Sequence, residues 1–328
     1  MKKSIIIAEC CQTHYGDYNI LKDMVHSAAE NGADYVKIQA IRSFELTYRE
    51  KFEKGLVNTN GDTKCIRRPY KDEFERLSNL DLTIDEERYF IEECKKFGVK
   101  SMVTLFTWNS LHESIDLGYD AVKVASYDCA SFPFISEIKK HWNNIFVSTG
   151  ATFDDEIKKT ANILDGVDFH FLHCVTIYPT PLKELHLLRM KYLKRYTDNV
   201  GFSDHSHTND TKLIASKMAL SLGASCVERH FTILPENKTK DGPVSINPNL
   251  LKELREFADL ENEEKLEIIK AQFPSWKLSL GEANRLLTKV EHLNREYYRG
   301  RFASKINGVV TNNWEIPKNS QQAKKEHR

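Results

Sequence analysis

Residues 100–126, KSMVTLFTWNSLHESIDLGYDAVKVAS, decide the fold. The stretch opens on an apolar run, Lys100–Phe106, and passes through Asn109–Leu117, where apolar residues recur at helical spacing. It halts at Leu117-Gly118-Tyr119 and returns to a second apolar run, Ala121–Ser126. Strand, amphipathic helix, glycine stop and strand make one β-α-β unit. Both runs are almost continuously apolar, as in strands covered on both faces of a parallel sheet.

The unit repeats in both directions. Upstream strand candidates are Ile5–Glu9 and Tyr35–Gln39; downstream ones are Ile145–Thr149, Phe169–Val175, Asn199–Ser203 and Ser225–His230. Helical patterns lie between and after them, at Ile20–Ala29, Ile84–Phe97, Phe134–Trp142, Asp154–Leu164, Leu182–Arg195, Asp210–Leu222 and Pro248–Leu260. Eight strands alternating with eight helices over about 250 residues predict an α/β fold, a (β/α)8 TIM barrel spanning residues 1–262. A doubly wound open sheet is the alternative, but no Gly-x-Gly-x-x-Gly follows the first strand, which argues against dinucleotide binding. Two segments stand outside the repeat. Residues 47–80 are polar and long for a βα connection, which fits a lid or a solvated insertion. Residues 263–328 form a C-terminal helical extension ending in the polar NSQQAKKEHR, expected to be disordered.

Composition narrows the class. The chain has 328 residues, 41% of them hydrophobic, and Lys+Arg and Asp+Glu both number 47. With no net charge, electrostatic attraction to nucleic acid or an anionic membrane is not expected. No apolar run approaches the roughly 20 residues of a membrane span. The opening MKKSIII is too short for a signal peptide. Seven scattered cysteines then read as reduced thiols of a cytoplasmic protein.

Chemistry collects at the C-terminal ends of the strand candidates. Glu9, Lys37 with Gln39, Thr104, Lys123 with Ser126, Ser148, His173, Ser203-Asp204-His205, and Glu228 with His230 all fall there. In a closed barrel these ends converge on the face that carries active sites. His205 and His230 end neighbouring strands, a pairing that suits a divalent metal with open positions; His173 and Cys174 are further candidates. Two lysines and several hydroxyls on the same face suit a small phosphate ester. A Schiff-base lysine is the competing reading of the same residues.

IIAEC followed by His14-Tyr15-Gly16-Asp17, GADYVKIQA (32–40), VKVAS (122–126), VSTGAT (147–152), LHCVTIYPTP (172–181), GFSDH (201–205) and LGASCVERHFT (222–232) together resemble the sialic acid synthase family. That family comprises N-acetylneuraminate, legionaminate and pseudaminate synthases. The resemblance implies a cytoplasmic transferase that condenses phosphoenolpyruvate with the aldehyde of an N-acylated hexosamine, releasing phosphate by C–O cleavage. It implies a divalent metal, Mn2+ or Mg2+, on His205 and His230. Lys37, Thr104, Lys123, Ser126, Ser148, Thr176 and Ser203 would bind phosphoenolpyruvate; Glu9, Gln39 and Tyr178 would meet the sugar. Asp241 would stand in for a sugar-binding carboxylate, and Glu9 and Asp128 would be the candidate bases, with barrels associating as a homodimer. Departures cluster on the sugar side: Tyr127 and Asp128 replace Gly and Glu, Thr176 an Asn, Thr13 an Asn, and Gly242-Pro243-Val244 lacks the usual Asp. The tail matches only the entry to the family's antifreeze-like domain, at NREYYRGRFASK (294–305), and no Arg-Pro-Gly follows; Arg299 or Arg301 would supply that charge. A related 3-deoxy-aldulosonate synthase, a Schiff-base pyruvate aldolase and a non-catalytic sugar- or metal-binding barrel are the alternatives.

Overall fold

The computed structural model describes residues 3–318; the polar stretch 319–328, expected to be disordered, lies outside them. Eight parallel strands close on themselves: β1 (Ile5–Cys11), β2 (Tyr35–Ala40), β3 (Lys100–Leu105), β4 (Ala121–Val124), β5 (Asn144–Ser148), β6 (Asp168–His173), β7 (Val200–Asp204) and β8 (Cys226–Phe231). Each pairs with the next, and β8 returns to β1. The chain is thus a TIM barrel, as its repeat predicts.

The barrel helices are α1 (Tyr18–Glu30), α2 (Ile84–Lys96), α3 (Trp108–Leu117), α4 (Phe132–Ile138), α5 (Asp154–Leu164), α6 (Arg189–Leu193), α7 (Ile214–Ser221) and α8 (Pro248–Asp259). Their ends obey local rules. Thr107 caps α3 by accepting from the Ser110 N–H, and Gly118 ends it at φ +77°, a left-handed turn that suits glycine. Asn247 caps α8 and Pro248 opens it. In α1, Leu21, Met24, Val25 and Ala28 are buried, the spacing of one helical face turned to the sheet.

Inside the barrel, register and alternation sort residues into layers. Ile7, Tyr35, Met102, Ala121, Phe146, Leu172 and Cys226 form a separate apolar cluster that plugs the lower barrel. Gly201 has no room for more: a Cβ there would sit 2.2 Å from Cys226 Sγ. Two residues further along the same strands the inward positions turn polar. Glu9 lies in register with Lys37 on one side and His230 on the other, Gln39 with Thr104, Thr104 with Lys123, and Ser203 with Glu228.

Two helical expectations are corrected. Leu182–Arg195 is not one helix: only a short turn at Leu182–Glu184 and α6 form, separated by His186 at φ +48°. The Leu187 and Leu188 N–H groups instead donate to the Ser279 and Leu280 carbonyls, a tertiary pairing that outcompetes helix propensity. Asp210–Leu222 likewise breaks at Lys212, φ +49°.

The segment read as a lid is structured. It carries a helical turn at Lys51–Lys54, a small hairpin (Leu56–Val57 with Thr63–Cys65) and a helix at Tyr70–Ser78. The tail forms α9 (Asn262–Gln272), α10 (Lys289–Tyr298) and a hairpin, Ser304–Ile306 with Val309–Thr311. Tail and lid interlock above the strand ends: Arg49 donates to the Tyr297 and Arg299 carbonyls, and the Phe52 and Tyr297 rings meet edge-on at 5.0 Å. Leu46 pairs with Phe302 as a β-bridge, and the Ser304 hydroxyl donates to Glu45.

Candidate active site at the strand ends

A cavity of about 430 Å³ opens at the C-terminal end of the barrel, between the polar layer and the tail. Its deepest feature is a buried ionic network. Lys37 contacts Glu9, donates to Thr104 Oγ1 at 2.8 Å and lies 3.6 Å from Glu228. Glu228 also pairs with Lys123 and accepts from the Ser203 hydroxyl at 2.7 Å. Two carboxylates thus face two ammonium groups. Burial opposes charge on Glu228, yet Lys123 and Lys37 hold its carboxyl well below the usual range. Burial pulls Lys37 down to about 7 against the attraction of Glu228.

His205 and His230 face one another with ring centroids 5.4 Å apart. Their placement depends on an ion pair behind the wall. Arg229 and Asp204, both fully buried, meet at 2.7 Å across β7 and β8. Asp204 accepts from the Ser206 N–H and the Ser216 hydroxyl, and Arg229 donates to Ser206. This lock fixes the turn that carries His205; opening such a pair typically costs about 3–5 kcal/mol. Burial lowers both imidazoles, His230 to about 4 and His205 further, where His230 and Lys123 add to the effect. Both rings are therefore neutral, and Nδ1 of each is buried without a hydrogen-bond partner. Neutral, unpartnered imidazoles are the form that ligates a divalent ion, so the residues present fit one.

Of the residues expected at the site, Glu9, Lys37, Gln39, Thr104, Lys123, Ser126, Asp128, Ser148, Tyr178, His205, His230 and Asp241 all line the cavity. Ser203 and Thr176 do not reach its wall. Ser203 sits beneath Glu228 as a donor, and Thr176 is buried, its carbonyl accepting from Asn294. His173 turns away to the Leu185 carbonyl at 2.7 Å. Cys174 reaches the cavity but shares its hydrogen bond with Ser126. Asp128 accepts from Ser131 and from Asn313 of the tail, while burial raises its pKa.

Several lining residues have no role in the sequence reading. Glu228 was visible at a strand end, but its partners were not. Arg68, Arg76, Lys240, Asn294 and Tyr298 form the rim with Arg301, which the sequence offers beside Arg299 as a source of the missing charge; they come from the lid, the last barrel loop and the tail, where no periodicity marks them. Tyr298 stacks on Tyr127 at 4.9 Å, and Arg301 pairs with Glu73. Cys11 lies against Asp241, its thiol 3.2 Å from a carboxylate oxygen.

A closed barrel with a buried polar floor and a histidine pair at its strand ends is an enzyme site of the kind TIM barrels carry on that face. The chain belongs to the NeuB family, which it matches over residues 24–266. It is 31% identical over 262 residues to N,N'-diacetyllegionaminic acid synthase of Campylobacter jejuni, covering 77% of this chain and 75% of that one. Human N-acetylneuraminate-9-phosphate synthase is 29% identical over 263 residues, 76% and 67% of the two chains. In fold, the chain resembles the N-acetylneuraminic acid synthetase of Leptospira borgpetersenii, with a TM-score of 0.67 at 23% identity over 90% of this chain and 91% of that one.

Proposed function

We propose that this protein is a phosphoenolpyruvate-dependent nonulosonic acid synthase acting on an N-acylated hexosamine. The observation that carries the reading is the buried floor, where Lys37 and Lys123 stand beside the His205–His230 pair in one cavity. Family membership and the named relatives point the same way.

In this reading Lys37 and Lys123 hold the phosphate and carboxylate of phosphoenolpyruvate, assisted by the hydroxyls of Thr104, Ser126 and Ser148. Gln39, Tyr178 and Arg301 orient the sugar on the solvent side. Arg301, fixed by Glu73, gives the acceptor subsite a cation from the same chain. Carbon 3 of phosphoenolpyruvate bonds to the aldehyde carbon, and the aldehyde oxygen takes up a proton to become a hydroxyl. The electron deficit at carbon 2 is met by water, whose proton passes to Glu9 or Asp128. The resulting tetrahedral centre expels phosphate with its bridging oxygen, leaving a ketone whose oxygen came from water. His205 and His230 would hold a divalent ion, which when bound polarises the aldehyde oxygen as a Lewis acid. Among the described residues no helix is long and apolar enough to cross a membrane, which fits action in the cytoplasm.

The test is phosphate release from phosphoenolpyruvate, with a divalent metal, across a panel of N-acylated hexosamines. Sugar-dependent release that a chelator abolishes is the expected result. Borohydride trapping of pyruvate on Lys37 with no phosphate release would replace the reading with an aldolase.

A further inference from the structure

We propose that the metal site of this protein includes a thiolate: Cys11, with Asp241 and His230, forms a three-residue site that selects a borderline divalent ion such as Zn2+, Co2+ or Fe2+ over Mg2+. The inference rests on the metal-assisted reading above and names the ligands and metal class that this chain provides for it.

The juxtaposition is specific. Ligand atoms of Cys11, His230 and Asp241 all lie within 4.8 Å of one another. Around one ion with bonds of about 2.0–2.3 Å, ligand atoms sit about 3–4 Å apart, so small side-chain rotations close the set. The three come from separate places: the end of β1, the end of β8, and the loop after it. Independently, the buried Nδ1 atoms of His230 and of the facing His205 have no hydrogen-bond partner, which is the vacancy a ligated ion fills.

The backbone is bent to make this contact. The β1–β2 register slips between Glu9 and Cys11, so the strand bulges there. Cys11 sits at φ +46°, in the left-handed region that a cysteine enters at a cost. The bulge is what re-aims the thiol toward Asp241. A magnesium site has no use for sulfur, because hard cations take oxygen ligands; thiolate and imidazole together favour zinc, cobalt or ferrous iron.

The experiment strips the full-length protein with chelator and titrates it with Co2+ alone. Wild type is expected to show a thiolate-to-cobalt charge-transfer band in the near ultraviolet, with Zn2+ displacing the cobalt and excess Mg2+ failing to. Cys11→Ser is expected to lose the band and weaken Zn2+ binding at least about tenfold. Cys11→Gly, which suits the positive φ, keeps a folded barrel by circular dichroism and also loses the band. Cobalt bound by wild type without a thiolate band, or Zn2+ affinity in both variants equal to that of wild type, overturns the proposal. The band reads coordination and not turnover, so its presence in a protein that releases no phosphate leaves this inference standing and fells the functional reading.

Discussion

On β1 Ile7 and Glu9 stand two positions apart, and on β5 so do Phe146 and Ser148, yet each pair spans a change of physical regime. The plug around Ile7 and Phe146 is largely apolar, with the buried His170 ring stacked on Phe146; the layer above it is an ionic network of Glu9, Lys37, Glu228 and Lys123. Below, burial stabilises by removing hydrocarbon from water. Above, burial costs free energy that the groups recover only through one another. The period of two that places both sets inward also means that the strands holding the chemistry are anchored by the plug, while the chemistry itself contributes little to stability.

That contrast is open to attack at three points. The largest effect is expected for Glu228→Gln, which halves the negative charge facing two buried ammonium groups. Phosphoenolpyruvate kcat/KM should fall roughly 100- to 1,000-fold, and chemical denaturation should show a loss of about 3–5 kcal/mol. Adding Lys123→Met should restore most of the stability and none of the activity. Recovery of both would mean that the network is structural only.

A complementary effect, comparable on stability and far smaller on activity, is expected in the plug. Phe146→Ala should destabilise by about 3–5 kcal/mol through its cavity, while kcat/KM of the folded protein stays within a few-fold of wild type. A selective collapse of activity would show that plug and site are one unit.

The third concerns buried imidazoles that do not line the cavity. His173 and His14 are lowered by burial to about 3 and about 4. They are neutral when folded but take up protons in the unfolded chain below its value near 6.5. The unfolded state therefore binds more protons between about pH 6.5 and pH 4, and stability falls as pH drops through that window. The slope is about 1.4 kcal/mol per histidine per pH unit. Urea midpoints measured from pH 7.5 to 4.5 check this, and His173→Gln should flatten the curve.

How much of this was legible follows from range. The strands were readable because each satisfies its own pattern within six or seven residues, and their ends located Lys37, Lys123, His205 and His230. Segments whose conformation is decided elsewhere were not readable: Leu187 and Leu188 spend their N–H groups on the tail, so their helical spacing misleads. Apart from Arg301, the rim was hidden for the same reason. Nothing in the sequence near Asn313 says that its amide reaches Asp128. Cys11 lay beside Glu9 in plain view, but only a bulge turns it toward Asp241.

The interlock of Glu45 with Ser304, 259 positions later in the chain, sets an order of events during translation. Every barrel strand has been made by residue 231, but the rim residues Asn294, Tyr298 and Arg301 have yet to be added. At about 5–20 residues per second the ribosome needs several seconds to supply them. During that interval a nascent barrel presents its ionic floor uncovered, and any chaperone that recognises the growing chain meets a wide-mouthed cup. The finished, roofed vessel appears only once residues 294–304 have emerged and docked.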